Sequence, residues 1–212
     1  MSHARQMDRI YRFQRHFYDL TRPLFLPGRD ALLDALTLRP GERVLEMGCG
    51  TARNLIRLAQ RHPDILLFGV DASPAMLETA TRSVHRAGLA HRIALRVQNA
   101  EDVDPLKTFG LREAFDAAFF SYSLTMMPTW REALDAACAA LGGSDRLFVV
   151  DFGDQGAWPG PARFVLNKWL SLFHVQYPPD LRGEIQRRFH NIDIQTILGG
   201  YAFLAIPHRR PH

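Results

Sequence analysis

Residues 44–55, VLEMGCGTARNL, place Gly48 and Gly50 between an apolar run that reads as a strand and a run that reads as a helix. Two glycines at such a junction make a tight turn whose backbone approaches a neighbour closely, with the first amides of the helix facing the same spot. The spacing is Glu46-x-Gly48-x-Gly50-x-Ala52. A dinucleotide fingerprint has its third glycine three places after the second, so that a pyrophosphate can rest on the helix end. Here that place holds Arg53, and Glu46 would set its charge beside the phosphates. The turn suits a ligand that carries a cation.

The chain beyond the turn fixes the fold class. Strands are predicted at residues 43–47, 65–70, 93–98, 115–121 and 146–152, with helices at 51–61, 73–87 and 129–140 between them. Ser73 followed by Pro74 reads as an N-cap with proline at the first helical position. Alternating strands and helices at this spacing imply a doubly wound α/β fold with a mainly parallel sheet. Residues 192–198 and 201–206 flank Gly199 and Gly200 and read as a hairpin, which completes seven strands with an antiparallel edge. A helix is expected over 162–175 and a loop over 153–161. The chain reads as one domain: an N-terminal helical lid (1–39), a ligand-binding core (40–152), and acceptor-side helices with the terminal hairpin (153–212).

The acidic glycine turn resembles motif I of the class I S-adenosylmethionine-dependent methyltransferases, and further segments extend the likeness. Asp71 in FGVDASPAM closes the second strand 25 residues after Glu46, VQNAEDVD closes the third, and FDAAFFSYSL forms the fourth. The resemblance implies a Rossmann-like methyltransferase fold with S-adenosylmethionine held by Glu46, Gly48, Cys49, Gly50, Asp71, Ala72, Met76, Asn99, Ala100, Glu101 and Ser121. In that frame Gly48 and Gly50 admit the cofactor where a Cβ would clash, and Asp71 accepts hydrogen bonds from both ribose hydroxyls. Asn99 stands where the family more often has aspartate, and its carbonyl oxygen suits the adenine amino group. Met76 fits the adenine pocket and the core equally well. Cys49 reads as a small buried filler rather than a nucleophile.

Composition narrows the setting. The two cysteines, Cys49 and Cys138, suggest neither a disulfide framework nor a metal site, so a reducing cytoplasm and no metal are expected. No stretch is apolar enough to span a bilayer, and the arginine-scattered start is not a secretory signal. The net charge of +4 and pI near 9.4 fit a nucleic acid, an anionic membrane or neither. Against nucleic acid, SYSL at the fourth strand lacks the Asn or Asp followed by two prolines found in base-flipping amino methyltransferases.

Residues 1–30 carry six arginines against three aspartates. On a helical wheel Met7, Ile10, Tyr11, Gln14, Phe17 and Tyr18 share one face, while Arg5, Arg9, Arg12 and His16 share another. Both an interfacial helix on an anionic leaflet and a lid packed on the sheet fit this pattern. MDRIYRFQRHFYDLTRPLFLPGRD, FFSYSLTMMPTW and WLSLFHV are together similar to the bacterial diacylglyceryl-homoserine N-methyltransferases of betaine-lipid synthesis. That likeness implies three methyl transfers to a lipid head-group amine by a protein peripherally attached to the inner face of the membrane, with phospholipid N-methyltransferases as the alternative. Such an amine needs alignment more than a strong base, and Tyr11, Tyr18 and Tyr122 are the candidate catalytic residues, as acceptors that orient it and ring faces that tolerate a cation. His16 and His174 are candidate proton acceptors. Trp169, Leu170, Leu172 and Phe173 form either an acyl-chain wall or a cover for the sheet edge. Oligomeric state stays open.

Overall fold

The computed structural model describes residues 26–171 and 177–208. Strands β1 (Arg43–Met47), β2 (Leu66–Asp71), β3 (Ile93–Val97), β4 (Ala117–Ser121), β5 (Leu147–Phe152), β6 (Ile192–Ile197) and β7 (Ala202–Pro207) form one sheet in the order β3-β2-β1-β4-β5-β7-β6. The first five run parallel, and β7 lies antiparallel between β5 and β6. The hairpin therefore inserts its second strand into the sheet: β7 alone runs against the others, and β6 at the edge runs with them. Between strands come α1 (Arg29–Ala35), α2 (Arg53–Arg61), α3 (Pro74–Arg86), α4 (Pro105–Phe109), α5 (Trp130–Ala140), α6 (Gly160–Ser171) and α7 (Leu181–Arg188).

Strands β4 and β5 are buried along their whole length, as parallel strands covered on both faces must be. Successive residues feed opposite layers: Val44, Phe119 and Phe148 pack with Leu32, Leu55, Leu77 and Leu170 on one side. Leu45, Phe120 and Val149 meet Leu134, Leu181, Ile185 and Phe203 on the other.

Several boundaries differ from expectation for identifiable reasons. Helix α2 starts at Arg53 rather than residue 51, because Gly50 (φ 53°) and Ala52 (φ 61°) are left-handed and keep the turn open. Helix α6 starts at Gly160, with Pro161 in its first turn where its missing N–H costs nothing. Helix α7 was not expected: the prolines before it and Gly183 within it hide a helix that Leu181 and Ile185 anchor in the core. Of the lid, α1 lies among the described residues; residues 1–25 lie outside them.

The loop after β5 crosses the β6–β7 turn at two glycines. A Cβ on Gly153 would stand 2.3 Å from the carbonyl oxygen of Gly200, a backbone atom with no room to yield. A Cβ on Gly183, inside α7, would meet nothing within 4 Å. Gly153→Ala is therefore expected to cost about 1–3 kcal/mol of stability, and Gly183→Ala to add about 0.5–1 kcal/mol. Urea titration with an unchanged slope checks both signs.

Candidate active site

At the carboxyl end of the parallel strands lies a cavity of about 650 Å³, and every residue expected to hold the cofactor lines it, as does Tyr122. The amides of Gly48 and Cys49 both donate to the Val70 carbonyl at 2.9 Å, which pins the turn after β1 onto β2. Gly48 has φ 79°, and a Cβ there would come 2.6 Å from the Cβ of Ser123. Its glycine is thus demanded by the chain leaving β4, whatever occupies the cavity that it lines.

Glu46 is 1% exposed, and its Oε1 accepts from Asn54 Nδ2 at 2.7 Å, so α2 orients an acid that a cation in the cavity can meet. Asp71 Oδ2 accepts from the Gly50 amide at 2.8 Å, and Oδ1 accepts from the Ser73 amide at 2.9 Å. These bonds fix the carboxylate, and since each carboxylate oxygen has two lone pairs, both can still accept from a vicinal diol. Ser73 caps α3 by accepting from the Met76 amide at 3.3 Å. Met76 packs in the core and lines the cavity at once. Asn99 donates through Nδ2 to Asp102 at 3.1 Å, an orientation in which its carbonyl oxygen is the atom that could accept from a purine amino group. Burial, with Asp71 and Glu46 nearby, pushes the Cys49 thiol well above its ordinary range, which disfavours the thiolate.

Tyr122 is placed differently from its expected role. Its backbone is left-handed (φ 56°), its hydroxyl donates to the Pro27 carbonyl at 2.5 Å, and its ring packs edge-on against Phe152. The guanidinium of Arg29 stands 5.7 Å from the ring centroid, so that face already has its cation. Burial, reinforced by the charge of Asp151, pushes the phenol far above its usual pKa. Tyr122 ties the chain before α1 to the site; it does not offer a free hydroxyl and a bare ring to an amine. Leu170 is 3% exposed and packs in the core, which makes it a cover for the sheet. Tyr11, Tyr18, His16, His174, Leu172 and Phe173 lie outside the described residues, as does the side chain of Trp169.

Sequence reasoning missed Asp151. Fully buried at the end of β5, it accepts through Oδ2 from the amides of Ser123 (3.1 Å), Leu124 (2.8 Å) and Thr125 (3.3 Å). Its Oδ1 accepts from the Thr125 hydroxyl (2.5 Å) and the Phe152 amide (2.8 Å). The clue was an acid inside LFVVDF, a run otherwise entirely apolar. Also missed were Arg29 and Arg53, the cavity's cations, and the wall from Met126 to Thr129. Ser121 Oγ is buried, with no hydrogen-bond partner among the described residues.

These parts match the charges of S-adenosylmethionine. Glu46 complements an ammonium or sulfonium, Asp71 a ribose diol, Arg29 or Arg53 a carboxylate, and the volume lies within the roughly 300–1,000 Å³ of small-molecule sites. No group of three or more His, Cys, Asp or Glu among the described residues is arranged to hold a metal.

Comparison with known proteins agrees. The family described as a methyltransferase domain matches residues 44–143. The aklanonic acid methyltransferase DauC of Streptomyces sp. is 30% identical over 162 residues, covering 76% of this chain and 67% of DauC. The chain belongs to the class I S-adenosylmethionine-dependent methyltransferases. Another methyltransferase relative, the O-methyltransferase rstn1 of Aspergillus nomiae, is 28% identical over 144 residues; the match covers 68% of this chain and 60% of that protein's length. An O-methyltransferase family protein from Burkholderia thailandensis shares the fold, with a TM-score of 0.68 and 19% identity over 94% of this chain and 59% of that one.

Two substitutions probe the site of this methyltransferase. Asp71→Ala removes the carboxylate expected to accept the ribose diol and the staple on Gly50 together, so calorimetry should show at least about a thirtyfold loss of S-adenosylmethionine affinity, given roughly 1.5–3 kcal/mol for a hydrogen bond to a charged group. Burial lifts the Asp151 carboxyl from 3.8 to about 6, outweighing its hydrogen bonds. The folded state therefore holds the Asp151 proton more tightly than the unfolded chain, so this group's contribution falls as pH rises from about 4 to about 6 and is level above. The difference in stability between wild type and Asp151→Asn should change by on the order of 3 kcal/mol across that window; a difference independent of pH would refute the assignment.

Proposed function

We propose that this methyltransferase transfers methyl groups to the amine of a lipid head group, with diacylglyceryl-homoserine, trimethylated to its betaine, as the preferred acceptor and phosphatidylethanolamine as the alternative. The observation that carries this reading is the wall beyond β4. From Ser121 to Thr129 it offers hydroxyls, thioethers and a proline, and among the described residues no histidine, lysine or solvent-facing carboxylate. Asp151, beneath it, is buried and committed to five donors.

Such a wall favours an acceptor that is a nucleophile without help. An α-amino group has a reference pKa of about 7.7–8.0, so near pH 7 roughly a tenth is already neutral, and freeing the rest costs about 1–1.4 kcal/mol. An alcohol would need a base. Bound in the cavity, S-adenosylmethionine supplies an electrophilic methyl group. Glu46, Asp71 and Asn99 fix the donor, the interlocked Gly48 and Ser123 backbones hold the turn rigid, and Met126, Met127 and Pro128 keep water from the acceptor's approach. The proton shed after each transfer goes to water. No helix among the described residues is long and apolar enough to cross a membrane, so in this reading the lipid is reached from the surface. The similarity of both chain ends to diacylglyceryl-homoserine N-methyltransferases supports the lipid. Nucleic acid has no part in it.

A carboxylate also needs no base, and the named substrate of DauC, aklanonic acid, favours esterification as the second reading. The test is methyl-labelled S-adenosylmethionine with separate preparations of diacylglyceryl-homoserine, phosphatidylethanolamine and long-chain carboxylic acids. Label is expected in the homoserine lipid and should survive mild alkali. Transfer only to phosphatidylethanolamine selects the alternative head group; an alkali-labile product means a methyl ester and ends the amine reading.

A further inference from the structure

The chain that leaves β4 carries four hydroxyls in five residues, on Ser121, Tyr122, Ser123 and Thr125. Three are committed. Tyr122 donates to the Pro27 carbonyl at 2.5 Å, Ser123 to the Met47 carbonyl at 2.9 Å, and Thr125 to Asp151 at 2.5 Å. The fourth, Ser121, is 4% exposed and lines the cavity, and its Oγ has no hydrogen-bond partner among the described residues. A hydroxyl withdrawn from water without a partner is destabilising, and a ligand group that pairs with it restores the bond lost on folding.

The sheet places this hydroxyl at the meeting point of donor and acceptor. Strands β1 and β4 pair with Glu46 opposite Phe119, and continuing that register sets Ser121 level with Gly48, where the turn after β1 begins. On its other side Ser121 pairs with Val150 of β5. It therefore stands between the turn proposed to hold the methyl donor and the wall proposed to meet the acceptor. Side chains alternate along a strand, so Ser121 shares a face of the sheet with Phe119 and Glu46. With no partner to hold it, Oγ is free to turn among the staggered positions about Cα–Cβ and meet what enters.

We infer that the Ser121 hydroxyl accepts a hydrogen bond from the acceptor nitrogen and so turns the nitrogen lone pair toward the methyl group. The inference rests on the amine reading above, and it gives Ser121 the orienting role that Tyr122, its hydroxyl spent on Pro27, does not fill. In each transfer the nitrogen lone pair forms the new N–C bond while the methyl carbon's bond to sulfur breaks and that electron pair stays on sulfur. The nitrogen turns positive as this happens, so an N–H held by Ser121 is bonded more strongly in the transition state than before it. Ser121 takes no proton; that goes to water.

Such a role has a signature. An unmethylated amine enters the transition state with two N–H groups, a monomethyl amine with one, and a dimethyl amine with none. A hydrogen-bond acceptor orients the first two and has nothing to hold in the third. A residue that only shapes the pocket acts on all three alike.

The test is kcat/KM of wild type and Ser121→Ala with the unmethylated, monomethyl and dimethyl forms of whichever head group accepts label, the homoserine lipid or phosphatidylethanolamine. A fall of at least about tenfold is expected for the first two and of less than about twofold for the third. Because Oγ has no partner to lose, the thermal midpoint should not drop, and calorimetry should give S-adenosylmethionine affinity within about twofold of wild type. Equal slowing of all three steps, or of none, overturns the proposal. A loss of donor affinity would assign the hydroxyl to the donor, and a lower midpoint would show a partner within the fold; either overturns it as well. Transfer to no amine at all ends the function and this role together, whereas a wild type that methylates every form beside a variant that slows them alike sinks Ser121 alone.

Discussion

The site depends on a carboxylate that no ligand reaches. Asp151 gathers the amides of Ser123, Leu124 and Thr125, which would otherwise be buried donors without acceptors at about 1–3 kcal/mol each. Fixing them sets the path of the chain as it leaves β4. Ser123 is then seated with its hydroxyl on the Met47 carbonyl at 2.9 Å and its Cβ in the space that Gly48 leaves empty. The turn after β1 and the loop after β4 are thereby one packed unit. A change on either side is felt on the other.

A second acid does comparable work in view of the ligand. Asp71 accepts the amides of Gly50 and Ser73, so it closes the β1 turn and starts α3 while still lining the cavity. Asparagine there would turn an NH₂ toward one of those amides and fail as an acceptor. The two carboxylates divide the labour by exposure: Asp151 is sealed and shapes the wall, whereas Asp71 borders the cavity and can accept from a ligand. With Glu46 they make the donor end electronegative, which suits a sulfonium, and Arg29 and Arg53 supply the opposite sign for a carboxylate.

Much of this was legible in the sequence because periodicity and glycine placement are local signals. The five parallel strands, the capped α3 and the Gly-Gly hairpin each depend on neighbours within a few residues, and Glu46, Asp71 and Asn99 sit at strand ends where a doubly wound sheet collects ligands. What escaped is non-local. Asp151 became intelligible only with Ser123–Thr125 folded over it, 26 to 28 residues away in sequence. The hydroxyl of Tyr122 was spent on Pro27, 95 residues upstream, a contact no pattern announces. Helix α7 hid behind weak propensity and was formed by burial of Leu181 and Ile185.

The relatives named as O-methyltransferases and the amine reading are compatible through the geometry of the unit that Asp151 holds. The β1 turn, Asp71 and Asn99, the residues proposed to hold the donor, all lie within the stretch the family match covers, and holding the donor is indifferent to what attacks the methyl group. In the proposed reading the acceptor meets the wall after β4, which the donor residues do not include. A wall without a base admits any nucleophile that needs none, so charge must choose between an amine and a carboxylate. Transfer to a carboxylate annihilates a charge pair; transfer to an amine moves the positive charge a short distance and keeps it. The negative charge of Asp151 lies buried beneath that wall, among donors that point at it. A field of that sign favours positive charge arriving above it, which is the physical ground for the proposed choice of nitrogen over oxygen.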